Sequence, residues 1–358
     1  MPKSPSEDYT HRRYLAVGEA ARLLGISVDA LHALVRQGDV PFYRAASGQY
    51  RFDRAALEAL IKQGRFSGQQ AATTTGAATS PIEITGCSTT QRIFIHDARH
   101  MHHLPDASVH LMVTSPPYFD AKMYTPHPLA EDLGNVHDLQ TWLEEIGLVW
   151  AEVFRVLQPG RKAFINLMNL PVRQEGTFRS LNLVGKTIDL CESLGFIFKR
   201  EIIWHKTNSV RAHFGTYPYP GGILLNYAHE FILEFEKPAP KGHRKYTHVT
   251  PAQREASKLD KDFWLSIKKS DVWHFQPEKS GARRSHVAPF PYELPYRLIK
   301  AYSFVGETVL DPFLGSGTTL LAACDLQRNG VGYELAPDIA QQAAARLEAR
   351  AATAAPST

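Results

Sequence analysis

From Ile93 onward, short apolar runs (RIFIHD, VHLMVTS, KAFINLM, FILEFE, TVLDPF, NGVGYE) take turns with longer helical patterns. This alternation predicts an α/β fold: an open, mostly parallel sheet with helices on both faces. Two further observations complete the prediction. Residues 14–62 carry their own helix and turn signals, and residues 63–90, rich in Gly, Ala, Ser and Thr, show no periodicity. The expected organisation is a small domain (14–62), a flexible linker (63–90) and an α/β domain (91–350).

The small domain comes first. In GEAARLLGIS, Ala20, Leu23 and Leu24 recur at helical spacing and Gly25 ends the run. Ser27 can cap a second helix with Leu31, Leu34 and Val35 on one face and Gly38 as terminator. A short strand at Tyr50–Phe52 precedes a third helix capped by Asp53. Helix, tight turn, helix, hairpin, helix is the layout of a winged helix-turn-helix. The stretch resembles the small MerR or excisionase DNA-binding domain, which implies a second helix in the major groove with Arg36, Arg44 and Arg51 reaching DNA. A protein-docking module of the same shape is the alternative.

Composition narrows the class. The chain has 358 residues, 44% hydrophobic and 21% charged, enough apolar material for a sizeable core. A net charge of +4 says little about nucleic acid, so the distribution of charge has to carry that argument. The three cysteines, Cys87, Cys191 and Cys324, are far apart and form no CxxC pair, which fits a reducing cytoplasm. No apolar run approaches the roughly 18 residues of a membrane span.

In the α/β domain, helical patterns are read in DLQTWLEEIGLVWAEVFRVL, SLNLVGKTIDLCESLG, LPYRLIKAYS and TTLLAACDLQ, and two strand ends carry chemistry. In VTSPPYFD, Ser115 follows a buried strand and precedes Pro116, Pro117 and Tyr118. The prolines fix the backbone and lack N–H groups, so their carbonyls stand rigidly as acceptors. In VLDPFLGSGTTLLAA, a strand ends at Asp311, and Pro312, Phe313, Gly315, Ser316 and Gly317 lead into a helix opening with Thr318 and Thr319. The glycine turn lets backbone approach a ligand closely. The spacing is not that of a P-loop. Glu334 ends the next strand, about 20 residues on, where a carboxylate can hold ribose hydroxyls.

The Ser-Pro-Pro-Tyr tetrad resembles the catalytic motif of DNA amino-methyltransferases, and the Asp311–Thr319 segment resembles their S-adenosylmethionine loop. The early tetrad and late loop are similar to the permuted beta group. The resemblance spans roughly 92–348 and implies a Rossmann-like methyltransferase fold, S-adenosyl-L-methionine as cofactor and double-stranded DNA as partner. It also implies a restriction-modification or epigenetic role, with a cognate restriction endonuclease as a candidate partner. By the same resemblance, Asp97 in IFIHDARHM is an adenine contact, and Phe290 belongs to a segment closing over the methionine end. Lys206, in IIWHKTN, falls beside the flipped base. Ser115 Oγ and the Pro116 carbonyl would accept the two N–H groups of the target amine, and Tyr118 would stack on the base.

Residues 237–285 occupy the place of a target-recognition region. They hold 12 Lys/Arg against five Asp/Glu, with interleaved Tyr246, Phe263, Trp264, Trp273 and Phe275. Arg244, Lys245, Lys268, Lys269, Arg283 and Arg284 are the candidate DNA contacts, since basic residues mixed with aromatics suit phosphate tracking and base reading. His96, His100, His102 and His103 cluster, but no carboxylate completes an evident ligand set, so no metal is expected. The residues before the cysteines are Gly86, Leu190 and Ala323, which disfavours the Pro-Cys route to ring carbons.

Serine in the tetrad and Ala-Pro-Phe-Pro at 288–291 lean towards cytosine N4, by likeness to that branch of the family. Adenine N6 is the alternative amine. A non-catalytic DNA-binding regulator is the alternative class.

Overall fold

The computed structural model describes residues 14–15, 17–26, 30–31, 34–35, 38–44, 50–66, 80–86, 88–119, 132–136, 138–174, 177–207, 220–221, 225, 227–277 and 291–354. The chain divides into two compact units, 1–79 and 80–358.

In the first unit, helix α1 (Val17–Leu24) buries Ala20, Ala21 and Leu24. It ends where Gly25 takes φ +69° and Ile26 N–H bonds back to Ala21 O at 3.1 Å. Residues 30–31 and 34–35 are helical, and Gly38 (φ +77°) closes that turn. Strands β1 (Tyr14–Leu15), β2 (Tyr43–Arg44) and β3 (Tyr50–Asp53) form an antiparallel sheet in the order β1-β3-β2. Asp53 caps helix α2 (Arg54–Lys62), accepting from Ala55 and Ala56 N–H. Leu15, Leu24, Leu31, Val35, Phe52 and Leu57 share the core. Among the described residues, α1, the helical pairs 30–31 and 34–35 and the paired strands β2 and β3 follow the expected order of helix, turn, helix and hairpin. Arg36 lies outside the described residues, as do the side chains of Arg44 and Arg51.

The second unit is built on one sheet. Its strands are β4 (Ile82–Gly86), β5 (Thr89–Ile95), β6 (Val109–Thr114), β7 (Leu157–Leu167), β10 (Ile197–Lys206), β11 (His229–Glu236), β12 (Val272–Phe275), β13 (Thr308–Asp311) and β14 (Asn329–Glu334). A separate hairpin, β8 (Leu170–Gln174) with β9 (Thr177–Leu181), follows β7. Among the described residues, nine strands pair in the order β12-β10-β11-β7-β6-β13-β14-β5-β4. Only β11 and β4 run against the rest. The expected mostly parallel α/β sheet is present. Strand β4 and the start of β5 fall within 63–90. Their polar composition hid a strand that pairs along the edge of the sheet.

Helices cover both faces, as near-continuous apolar strands require. On one face, helix α3 (Leu139–Val156) buries Trp142, Ile146, Val149, Trp150 and Val153 at helical spacing, beside α4 (Leu183–Ser193). Helix α5 (Pro251–Ala256) and α6 (Lys261–Lys268) follow β11. Helix α7 (Glu293–Tyr302) and α8 (Thr318–Asp325) pack on the other face through Leu294, Leu298, Ile299, Ala322 and Ala323. Helix α9 (Pro337–Ala354) adds Ala340, Ala343 and Leu347 over β4 and β5.

Candidate active site

Sheet order places the two motifs side by side. Strand β6 continues to β7 on one side, whereas its other neighbour, β13, continues to β14. The connections after β6 and β13 thus diverge, opening a crevice at their carboxyl ends, where α/β sheets bind ligands. Register pairs Leu111 with Val309 and Met112 with Leu310, so Ser115 and Asp311 emerge at one edge. Thr114 Oγ1 donates to Asp311 Oδ1 at 2.6 Å and ties the two strand ends together.

The glycine turn is held from below. Asp311 is 1% exposed and also accepts from Thr319 Oγ1 (2.6 Å) and Phe313 N–H (3.1 Å). Glu334 accepts from Gly315 N–H and Ala336 N–H, both at 3.0 Å. Gly317, the residue before α8, adopts φ +81°. Ser316 Oγ lies 3.2 Å from Thr318 Oγ1. Pro312 is buried, and Phe313 packs edge-on against Trp150.

Asp132 joins this group unforeseen. It is 9% exposed, its Oδ1 accepts from Gly134 N–H at 2.8 Å, and its Oδ2 has no partner. Burial pushes the Asp132 carboxyl up, Asp311 up to about 6 and Glu334 up to about 7. The negative charges of Asp132 and Asp311 add to the rise at Glu334. Three buried carboxyls gathered at one edge favour a cationic ligand.

The tetrad has its own support. Tyr118 OH donates to Glu230 Oε2 at 2.7 Å. Asn166, 1% exposed near the end of β7, donates through Nδ2 to the same oxygen at 2.6 Å and lies 3.5 Å from Ser115 Oγ. Sequence reasoning passed over both Asn166 and Glu230. The signal available was a polar residue at the end of an apolar strand, Asn166 in AFINL and Glu230 before FILEF.

Other expected residues fall differently. Asp97 stands beyond β5, but Arg99 engages both its oxygens and also pairs with Glu145. Lys206 does not stand free for phosphate: it forms an ion pair with Glu230 at 2.6 Å. Arg244 and Lys245 follow the carboxyl end of β11. Because β11 is reversed, that end lies where β7 begins, away from Ser115: Gly160 N–H bonds Lys237 O at 2.7 Å, and Lys245 pairs with Glu236 at 2.9 Å. Lys268 and Lys269 are exposed at the end of α6, with Lys268 Nζ 4.2 Å from the Trp264 ring centroid. Trp273 is core, and Phe275 stacks on Trp204, so neither is placed to read bases. Phe290, Arg283 and Arg284 lie outside the described residues. His96, His102 and His103 bring ligand atoms within 4.8 Å of one another, closer than expected, and the His102 and His103 ring centroids lie 3.9 Å apart with their planes tilted by 34°.

Comparison with known proteins decides the family. The description "DNA methylase", covering N6 and N4 enzymes, matches residues 109–345. The chain belongs to this DNA methylase family. A helix-turn-helix domain matches residues 14–65. Type II methyltransferase M.MjaI of Methanocaldococcus jannaschii is 34% identical over 285 residues, which cover 71% of this chain and 89% of the relative. M.MthZI of Methanothermobacter thermautotrophicus, another type II methyltransferase, is 33% identical across 69% of this chain and 73% of its own. TTHA0409 of Thermus thermophilus, solved in complex with S-adenosyl-L-methionine, is 37% identical with a TM-score of 0.59, covering 73% of this chain and 94% of that one. The cytosine-N4-specific PvuII DNA methyltransferase, 18% identical with a TM-score of 0.54 over 72% of this chain and 86% of its own, shares the fold. Buried carboxyls beside a glycine turn fit the sulfonium and ammonium of S-adenosyl-L-methionine.

Proposed function

We propose that this chain transfers a methyl group from S-adenosyl-L-methionine to cytosine N4 of a base flipped out of duplex DNA. The carrying observation is the meeting of Ser115 and the Asp311 turn at the ends of adjacent strands, joined by the Thr114–Asp311 hydrogen bond. Bound there, the cofactor supplies an electrophilic methyl group on its sulfonium. Asp311, Pro312, Phe313, Gly315, Ser316, Gly317, Thr318, Thr319 and Glu334 form its cradle, with Asp132 added by its free buried oxygen. An exocyclic amine is a poor nucleophile because its lone pair is delocalised into the ring. Ser115 Oγ and the Pro116 carbonyl accept its two hydrogens and favour the tetrahedral geometry of attack. Pro117 stiffens the turn, and Tyr118 stacks on the base. The methylated amine then loses its proton to water.

Serine in the tetrad and the Ala-Pro-Phe-Pro wording support cytosine, and adenine N6 is the second reading. The winged unit supports a role in DNA affinity, and the type II relatives support restriction-modification with a cognate endonuclease. The test is product identity. Genomic duplex DNA is incubated with methyl-tritiated cofactor, digested to nucleosides and separated. N4-methylcytosine is expected. Labelled N6-methyladenine overturns the cytosine assignment, and no labelled nucleoside overturns the enzyme in favour of a regulator.

A further inference from the structure

Glu230 is an unusual residue for its place. It sits on the one reversed strand in the middle of the sheet, so its amino end lies where β6 and β7 finish. Only 7% of the residue is exposed. A buried carboxylate is costly unless paired and hydrogen-bonded, and an apolar residue there would satisfy the sheet more simply. Here three donors engage the carboxylate: Oε2 accepts from Tyr118 OH (2.7 Å) and Asn166 Nδ2 (2.6 Å), and Oε1 pairs with Lys206 Nζ (2.6 Å). Of these donors, Asn166 lies 3.5 Å from Ser115 Oγ, and Tyr118 closes the same tetrad in the chain.

The consequences are geometric. Because its Nδ2 must face the carboxylate, the Asn166 amide cannot flip, and its Oδ1 stays buried without a partner. The phenol of Tyr118 is held at its far end, which limits how the ring can swing. Lys206 balances the charge from the neighbouring strand. With these contacts all made to protein donors, Glu230 acts through its neighbours.

We propose that Glu230 is a positioning residue for methyl transfer: its carboxylate clamps Tyr118 and Asn166 in fixed orientations around Ser115, so that the incoming amine meets a preformed set of acceptors. The inference rests on the methyl-transfer reading of the Ser115 site. Preorganisation of this kind acts on the chemical step and leaves cofactor affinity alone.

The experiment uses the full-length protein, genomic duplex DNA and methyl-tritiated S-adenosyl-L-methionine. Wild type, Glu230→Leu and the double variant Glu230→Leu/Lys206→Met are compared for single-turnover transfer rate, cofactor Kd by calorimetry and thermal midpoint. The expected result is a fall of about 100-fold in transfer rate for both variants, with cofactor Kd unchanged. An unchanged rate in Glu230→Leu overturns the proposal. Recovery of the wild-type rate in the double variant also overturns it, because the loss then came from an orphaned lysine. A cofactor Kd that weakens along with the rate points to a purely structural role and overturns it too. Transfer by the wild type is the separate test of the underlying reading, and its absence brings down both.

Discussion

Asp311 and Glu334 are poised to respond to pH. Their carboxyls stand at about 6 and about 7 in the folded protein, raised mainly by burial, above ordinary values of 3.8 and 4.5. A raised carboxyl favours the protonated form in the fold. Its contribution to stability is therefore full below the ordinary value and is lost as pH rises through the folded value. A cationic cofactor prefers the ionised forms and must displace those protons when pH is low. S-adenosyl-L-methionine should accordingly bind about tenfold more tightly at about pH 8 than at about pH 5. Calorimetry across that range checks it, and a flat Kd contradicts the charge argument. Ser115, Asp311 and Glu334 were legible in the sequence because each is polar at the end of an apolar strand, and the first two adjoin proline. Asn166, Glu230 and Asp132 were not. Their meaning lies in partners far along the chain: Glu230 meets Tyr118 across 112 positions and Asn166 across 64.

Elements hold the glycine turn by close approach. Strand β14 passes beneath the turn at Gly332, where a Cβ would stand 2.7 Å from Leu314 Cδ1 and 3.0 Å from its Cγ. Leu314 is buried, and its N–H bonds Tyr333 O at 2.9 Å, so it has little room to yield. Gly332→Ala should cost about 1–3 kcal/mol by overpacking and weaken cofactor binding as the Gly315–Glu334 contact loosens. Thermal melting and calorimetry check both effects, and wild-type values for the two together contradict the close-approach account. The alternating pattern gave away most strands and helices of the large unit. Strand β4 escaped because it continues a polar, threonine-rich stretch and pairs only along the edge. The placement of Arg244 and Lys245 escaped because local pattern carries no strand direction, and one reversed strand sends the segment after it to the opposite edge.

Across the molecule, the site is assembled from segments about 200 positions apart in the chain, and sheet order alone makes them neighbours. The tetrad follows β6, the glycine turn and Glu334 come with β13 and β14, and Asn166 and Glu230 stand on β7 and β11. This separation of parts implies a separation of functions: the cradle should bind cofactor whether or not the tetrad is competent. The most direct measurement compares wild type with Ser115→Ala for cofactor Kd and for transfer of tritiated methyl groups to genomic duplex DNA. Cofactor Kd should stay at the wild-type value while transfer falls about 100-fold or more. Transfer at the wild-type rate by Ser115→Ala would contradict the assignment of this strand end as the place where the methyl group is moved.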